Sequence, residues 1–237
     1  MLQVFTAWKY KKRGISPEQR MERRNLALIM KLKPVRDVDF TPCVNNSTVL
    51  LTGDGHTLPE DVKAFEAFHV KHDVYCVNRS ALYFQRPINH WCAVDAEEAM
   101  WFSENCNGAI KPPGHTIIRH TFGDMGIAYD IGWIVDEFEY ENELQKHMWL
   151  GNTGYFGILT SIAMGYKKIV LAGMPMDGLG HWYEHPEDNP PPQWLGKCYQ
   201  QWMDFKMKVP DSCKVRSLCG YSAFILGKAT KEWINGK

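Results

Sequence analysis

Four short segments of this chain carry residue types that could do chemistry. In TGDGHTL, Gly53, Asp54 and Gly55 stand in succession with Thr57 two positions on. Two glycines let a backbone approach a ligand closely, and Asp54 and Thr57 can supply side-chain hydrogen bonds. Asn78 ends an apolar run, where its amide offers both a donor and an acceptor to a base or a ribose. Asn152, Thr153 and Gly154 precede a long apolar stretch, and a helix beginning there would turn unpaired N–H groups toward an anion. Finally, GLGHWYEHPED over 178–188 gathers His181, Tyr183 and His185 behind Asp177. An imidazole titrates near neutrality and can take a proton from a hydroxyl. Each segment also has a plainer reading: a turn needs glycine, Asn caps helices, close packing asks for Gly, and exposed loops collect histidines.

The elements that must position these residues alternate. Residues 47–52 (STVLLT) form an almost continuous apolar run, as expected of a parallel strand buried on both faces. Thr57 with Glu60 predicts a capping box, and Pro59 in the first turn opens a helix to about His69. Strands are expected at 73–78, 91–95, 115–120, 167–173 and 214–219, with helices from 96, over 152–164 and within 191–207; residues 121–150 are less regular. This alternation predicts one α/β domain over 47–237, a Rossmann-like, mostly parallel sheet with helices on both faces. Ligands of such sheets gather at the carboxyl ends of the strands.

Composition sets the bounds. A hydrophobic fraction of 45% in 237 residues is enough to bury a sizeable core. The seven cysteines are odd in number, include no CxxC pair, and read as reduced, mostly buried thiols. No apolar run approaches a membrane span and MLQVFTAWKYKKR is not a signal peptide, so a cytoplasmic protein is expected. Net charge is zero, yet residues 1–36 carry ten Lys or Arg against Glu18 and Glu22, a net of +8 that the rest must offset. Residues 1–46 therefore read as an N-terminal extension whose basic helix over 17–33 is either a solvated face or a surface for a polyanion such as DNA. There is no Walker GxxxxGK[ST] loop, GxSxG elbow or HExxH pair, and the histidines near Glu184, Glu187 and Asp188 lack metal-ligand spacing; no metal site is expected. His69 and His72 flank a helix end and read as surface residues.

In this order, TGDGHTL, CVNRSALYF and GNTGYFGILTSIAMGYKKIVLAGMPMDG resemble the bacterial sialyltransferase-like proteins, including the motility-associated glycosyltransferases, and also the hydroxymethylpterin diphosphokinase group. There the pattern is a strand ending in GNGPSL or GxGPS, a second ending in Asn, and TSGxxxxxxAxxxGYKxIxLxGxD. The third block is the most specific; the match spans about 50–178, with a weaker echo at VRSLCGYSAFIL. The resemblance implies nucleotide contacts from Gly53, Asp54, Gly55, Asn78, Thr153 and Gly154. It also implies a lid histidine as base, His181 ahead of His185, and a tyrosine, Tyr183, on the donor phosphate, without a metal. The departures are Asp54 in place of Asn, His56 and Thr57 in place of Pro and Ser, and an acid, Asp177, displaced by the sequence Met174, Pro175, Met176.

The function these readings favour is transfer of a sugar from a nucleotide-sugar donor to a hydroxyl acceptor, with a polyanion such as hydroxylated-base DNA or a glycan among the acceptors. No further cofactor is expected. One alternative is diphosphate transfer from ATP with Mg²⁺ held by carboxylates such as Asp54 or Asp177; another is a non-catalytic protein that binds or sequesters a nucleotide. Assembly into a homo-oligomer fits any of these.

Overall fold

The computed structural model describes residues 46–106, 108–120, 131–134, 153–183, 198–200, 202–203, 206 and 213–236. The basic helix, the rest of the extension through residue 45, Asn152 and His185 lie outside the described residues. Among the described residues there are seven strands: β1 Thr48–Thr52, β2 Asp73–Val77, β3 Ile88–Ala93, β4 Ile110–His120, β5 Ile131–Ile134, β6 Lys168–Ala172 and β7 Lys214–Ser217. The helices are α1 Leu58–Glu66, α2 Ala96–Asn105, α3 Thr153–Ala163, α4 Gly220–Leu226 and α5 Lys231–Ile234, with a 3-10 turn over Asn78–Tyr83. Residues 198–200 and 202–203 are helical, within the segment where a helix was expected.

Every strand pair is parallel, in the order β5-β4-β3-β2-β1-β6-β7. All five residues of β1 are buried, which is why its sequence does not alternate. Val49 and Leu51 join Tyr155, Phe156, Ile158 and Leu159 of α3 in one core cluster. Leu50 turns to Leu58, Val62 and Phe65 of α1 on the other face, where Cys76 and Trp91 also pack with Ala99 and Phe102 of α2. The chain thus lays strands outward from β1 to β5 with α1 and α2 on one face, returns along α3 on the other, and adds β6 to the opposite side of β1. The order of strands reverses between β1 and β6, and their carboxyl ends form the switch point where ligands of such sheets bind.

The structure departs from the sequence expectations at several places, β3 among them, which begins three residues before the expected 91. β5 lies within the region read as irregular, and β4 begins at Ile110, five residues early, with a register shift between Ile88 and His90 opposite it. Asn78 does not end β2 but begins the 3-10 turn with a left-handed φ of 50°. Thr57 is the α1 N-cap but makes no capping hydrogen bond. Its hydroxyl donates instead to Asp61 Oδ2 at 2.9 Å.

Asp61 is buried, and the same oxygen also accepts Gly173 N–H at 2.9 Å and the Cys219 thiol at 2.8 Å. One carboxylate therefore ties α1 to the ends of β6 and β7. Burial, reinforced by Asp61, pushes the Cys219 thiol up to about 12, and burial likewise holds Cys76 and Cys92 at about 12 and Cys213 at about 11. These four remain protonated and act as packing groups and donors.

Two glycine substitutions test the tightness of this arrangement. Gly173 has a φ of +63° and an added Cβ would lie 2.3 Å from Gly53 O, whereas Gly165 has a φ of +91° with open space around it. Gly165→Ala is expected to cost about 1–2 kcal/mol, the left-handed penalty alone. Gly173→Ala adds a backbone clash and should cost well over that, read as the midpoint of urea unfolding; equal costs would show that the β1 and β6 loops separate freely.

Candidate functional site

The loops leaving β1 and β6 are joined along their backbones. Gly53 N–H donates to Ala172 O and Gly55 N–H to Gly173 O, both at 2.8 Å. A Cβ on Gly53 would meet Gly173 O at 2.8 Å, and one on Gly55 would meet Pro175 Cδ at 2.6 Å. These glycines are required by loop-on-loop packing, and their amides are already engaged. What the turn presents outward is Asp54.

Beyond Asp177 the chain doubles back as a strap over that turn. Trp182 N–H donates to Asp54 O at 3.0 Å and His56 N–H to Gly180 O at 3.2 Å, forming an antiparallel bridge between Gly55 and His181. Three left-handed residues, Met176, Gly178 and Gly180, make the reversal possible. Two histidine–carboxylate pairs then cross the same junction. His56 Nε2 lies 2.9 Å from Asp177 Oδ2, and His181 Nε2 lies 4.0 Å from Asp54 Oδ2. Tyr183, stacked face to face on His181 at 5.3 Å, donates its hydroxyl to Asp54 Oδ2 at 3.4 Å. Asp54, His181 and Tyr183 are thus brought together as one group. Asp177 belongs to the other pair, with His56, a residue the sequence marked only as a departure from a pattern.

The end of β2 supplies the adjoining wall. Asn78 holds its left-handed conformation while its carbonyl accepts Trp91 Nε1–H at 2.7 Å. Its side-chain Oδ1 is buried and has no partner among the described residues, an unsatisfied acceptor of the kind that costs stability unless a ligand fills it. Arg79 follows, with Nε 3.1 Å from Glu98 Oε2 and its guanidinium 5.5 Å from the Trp101 ring. Neither Arg79 nor Glu98 was singled out from sequence. The only hint was a charged residue directly after a strand-end Asn.

The start of α3 lies at the same end of the sheet. Thr160 meets the Tyr75 hydroxyl at 2.8 Å, and a Cβ on Gly157 would touch Leu51 and Val77, nearer the strand ends. Helix and strands run oppositely, so buried Thr153 and half-buried Gly154, a turn earlier, lie beyond Val77 toward Asn78. Thr57 points elsewhere, into the contact with Asp61 and Cys219.

Burial drives the electrostatics. It raises the pKa of the Asp54 carboxyl above the usual range, against the opposing pull of His181, the Tyr183 hydroxyl and Arg79. Burial also raises Glu98, with Arg79 opposing and Asp54 and Asp95 adding to the rise. Among the described residues no group of three or more His, Cys, Asp or Glu is placed to hold a metal ion. No described helix is long and apolar enough to cross a membrane.

Solved structures similar to this chain include two glycosyltransferases. The sialyltransferase CstII from Campylobacter jejuni, in complex with the substrate analogue CMP-3FNeuAc, matches with a TM-score of 0.50 at 13% identity, over 78% of this chain and 86% of that one. The MAf glycosyltransferase from Magnetospirillum magneticum AMB-1 matches with a TM-score of 0.51 at 9% identity, over 81% of this chain and 37% of that one. The chain shares its fold with these two structures. No protein-family model and no curated protein sequence matches the chain. At these identities the likeness is one of fold.

The raised Asp54 pKa predicts a measurable stability effect. A carboxyl whose pKa is higher folded than unfolded weakens the fold as pH climbs from the unfolded value of 3.8 through the folded one. Asp54→Asn removes that cost, so its melting temperature should exceed wild type at pH 7 and the gap should shrink toward pH 4. A gap that widens toward acid would mean the carboxylate is stabilised by its neighbours.

Proposed function

We propose that this chain is a glycosyltransferase that binds a nucleotide-sugar donor across the β1/β6 switch point and transfers the sugar to a hydroxyl acceptor. The observation that carries this reading is the unpartnered, buried Asn78 Oδ1 at the mouth shared by the Asp54 turn and the start of α3. An amide acceptor there suits a ribose hydroxyl or a base amino group, and the first N–H groups of α3, at Thr153 and Gly154, suit the donor phosphate. The complex of CstII with a CMP-sugar analogue supports a nucleotide-sugar as the ligand of this fold.

In this reading His181 removes the acceptor proton as the acceptor oxygen bonds to the anomeric carbon and the nucleotide phosphate leaves with the electron pair of the broken bond. Asp54 beside the imidazole stabilises the positive charge that develops as the proton arrives, and Tyr183, held on the same carboxylate, borders the donor phosphate. Asp177 fixes His56 and so anchors the strap that carries His181. His185, expected as a second candidate base, remains a proposal of the sequence. So does a polyanionic acceptor drawn by the basic 9–36 segment, with DNA as its test case. The reading that needs Mg²⁺ is not favoured, because Asp54 and Asp177 are each committed to a histidine.

Thermal-shift measurements with CMP, UDP and GDP test the site directly, and at least one should raise the melting temperature. Asn78→Gly keeps the left-handed backbone while deleting the acceptor. It is expected to weaken that nucleotide by roughly tenfold, about the worth of one buried hydrogen bond, with little loss of stability. His181→Ala should leave nucleotide affinity within about twofold and lower turnover by roughly 10²–10⁴. An unchanged rate would move the base elsewhere. For the acceptor, retention on DNA should fall steeply with salt and flatten when Lys11, Lys12 and Arg13 are replaced by Gln.

A further inference from the structure

Asp54, Arg79 and Glu98 share one neighbourhood at the mouth of the site. Arg79 is bound through Nε to Glu98 and lies against Trp101. The guanidinium acts on Asp54, and Asp54 in turn acts on Glu98. The described charges around the mouth are therefore Asp54, Asp95, Glu98 and Asp177 against Arg79, with the imidazoles of His56 and His181 each facing a carboxylate. Arg79 is engaged through Nε by the nearer acid.

From this arrangement we infer that the donor sugar carries no carboxylate: the site takes an uncharged sugar, selected by Asp54 through its own charge and its hydrogen bonds to sugar hydroxyls. The inference rests on the glycosyltransferase reading and narrows it to a class of donor. Only 17% of the Asp54 side chain is exposed, so solvent does little to screen it. An acidic sugar placed against it leaves two choices, both unfavourable. Either two carboxylates stand together in a water-poor site, or Asp54 takes up a proton to relieve them. A hydroxylated neutral sugar meets the opposite situation, because its O–H groups donate to a carboxylate in charge-assisted hydrogen bonds. Discrimination of this kind comes from the repulsive element as much as from the attractive one.

The test uses the full chain and donors that differ only in charge. First, the nucleotide that stabilises the protein is found among CMP, UDP and GDP. Then calorimetry compares two donors of that base: UDP-glucose with UDP-glucuronate, GDP-mannose with GDP-mannuronate, or the methyl ester of a CMP-linked acidic sugar with its free acid. The uncharged member should bind at least about tenfold more tightly, and the preference should fall to within about threefold in Asp54→Asn. Arg79→Gln should leave the preference in place or increase it. Equal binding of the two donors, tighter binding of the acidic one, or a preference that survives Asp54→Asn overturns the proposal while leaving the glycosyltransferase reading intact. Failure of every nucleotide to bind overturns that reading, and this inference falls with it.

Discussion

The rest of the site depends on one close approach, the contact between the backbone turns that leave β1 and β6. Gly53, Gly55 and Gly173 let the two loops touch without side chains between them, and the Gly53 and Gly55 amides seal the contact. Buried Asp61 fixes the Gly173 amide from below. Because β1 and β6 are adjacent strands at which the direction of winding reverses, this seam is the floor of the crevice. The candidate groups of the site are mounted on its rim: Asp54 between the two glycines, the strap that starts after Asp177, and Asn78 just past the end of the next strand over.

Separating scaffold from chemistry in this way changes the meaning of several residues. Glycine in a strand-end turn is commonly taken to admit a phosphate. Here the missing Cβ atoms face the neighbouring loop. Thr57 similarly serves α1 and Cys219. The polar groups left over for a ligand are fewer and more specific: an orphan amide oxygen, a buried carboxylate, and an imidazole stacked on a phenol.

The parallel sheet was legible because strands buried on both faces have no alternation to confuse, and TVLLT, DVYCV and KIVLA are unmistakable as such. β5 was not, since four residues within an irregular stretch carry no periodic signal. At the site, Asn78, Asp54 and His181 could be picked out from their places at strand ends and in the lid segment. Arg79, Glu98 and the pairing of His56 with Asp177 could not. Residues 56 and 177 lie 121 positions apart, and only the antiparallel return of the strap brings them within 2.9 Å. A pair of that kind depends on tertiary register, which local sequence does not encode.

That register also couples the two histidine pairs. His56 and Asp54 flank Gly55 on one side of the bridge, while Asp177 and His181 lie on the strap opposite. Each side contributes one imidazole and one carboxylate, so sliding or lifting the strap would break both pairs together with the Trp182 and Gly180 backbone bonds. The His181 imidazole is therefore held in place by the backbone bonds and side-chain pairs of the strap. Seating of the strap and placement of His181 are a single event, which is how a loop built on three left-handed residues can still fix a side chain.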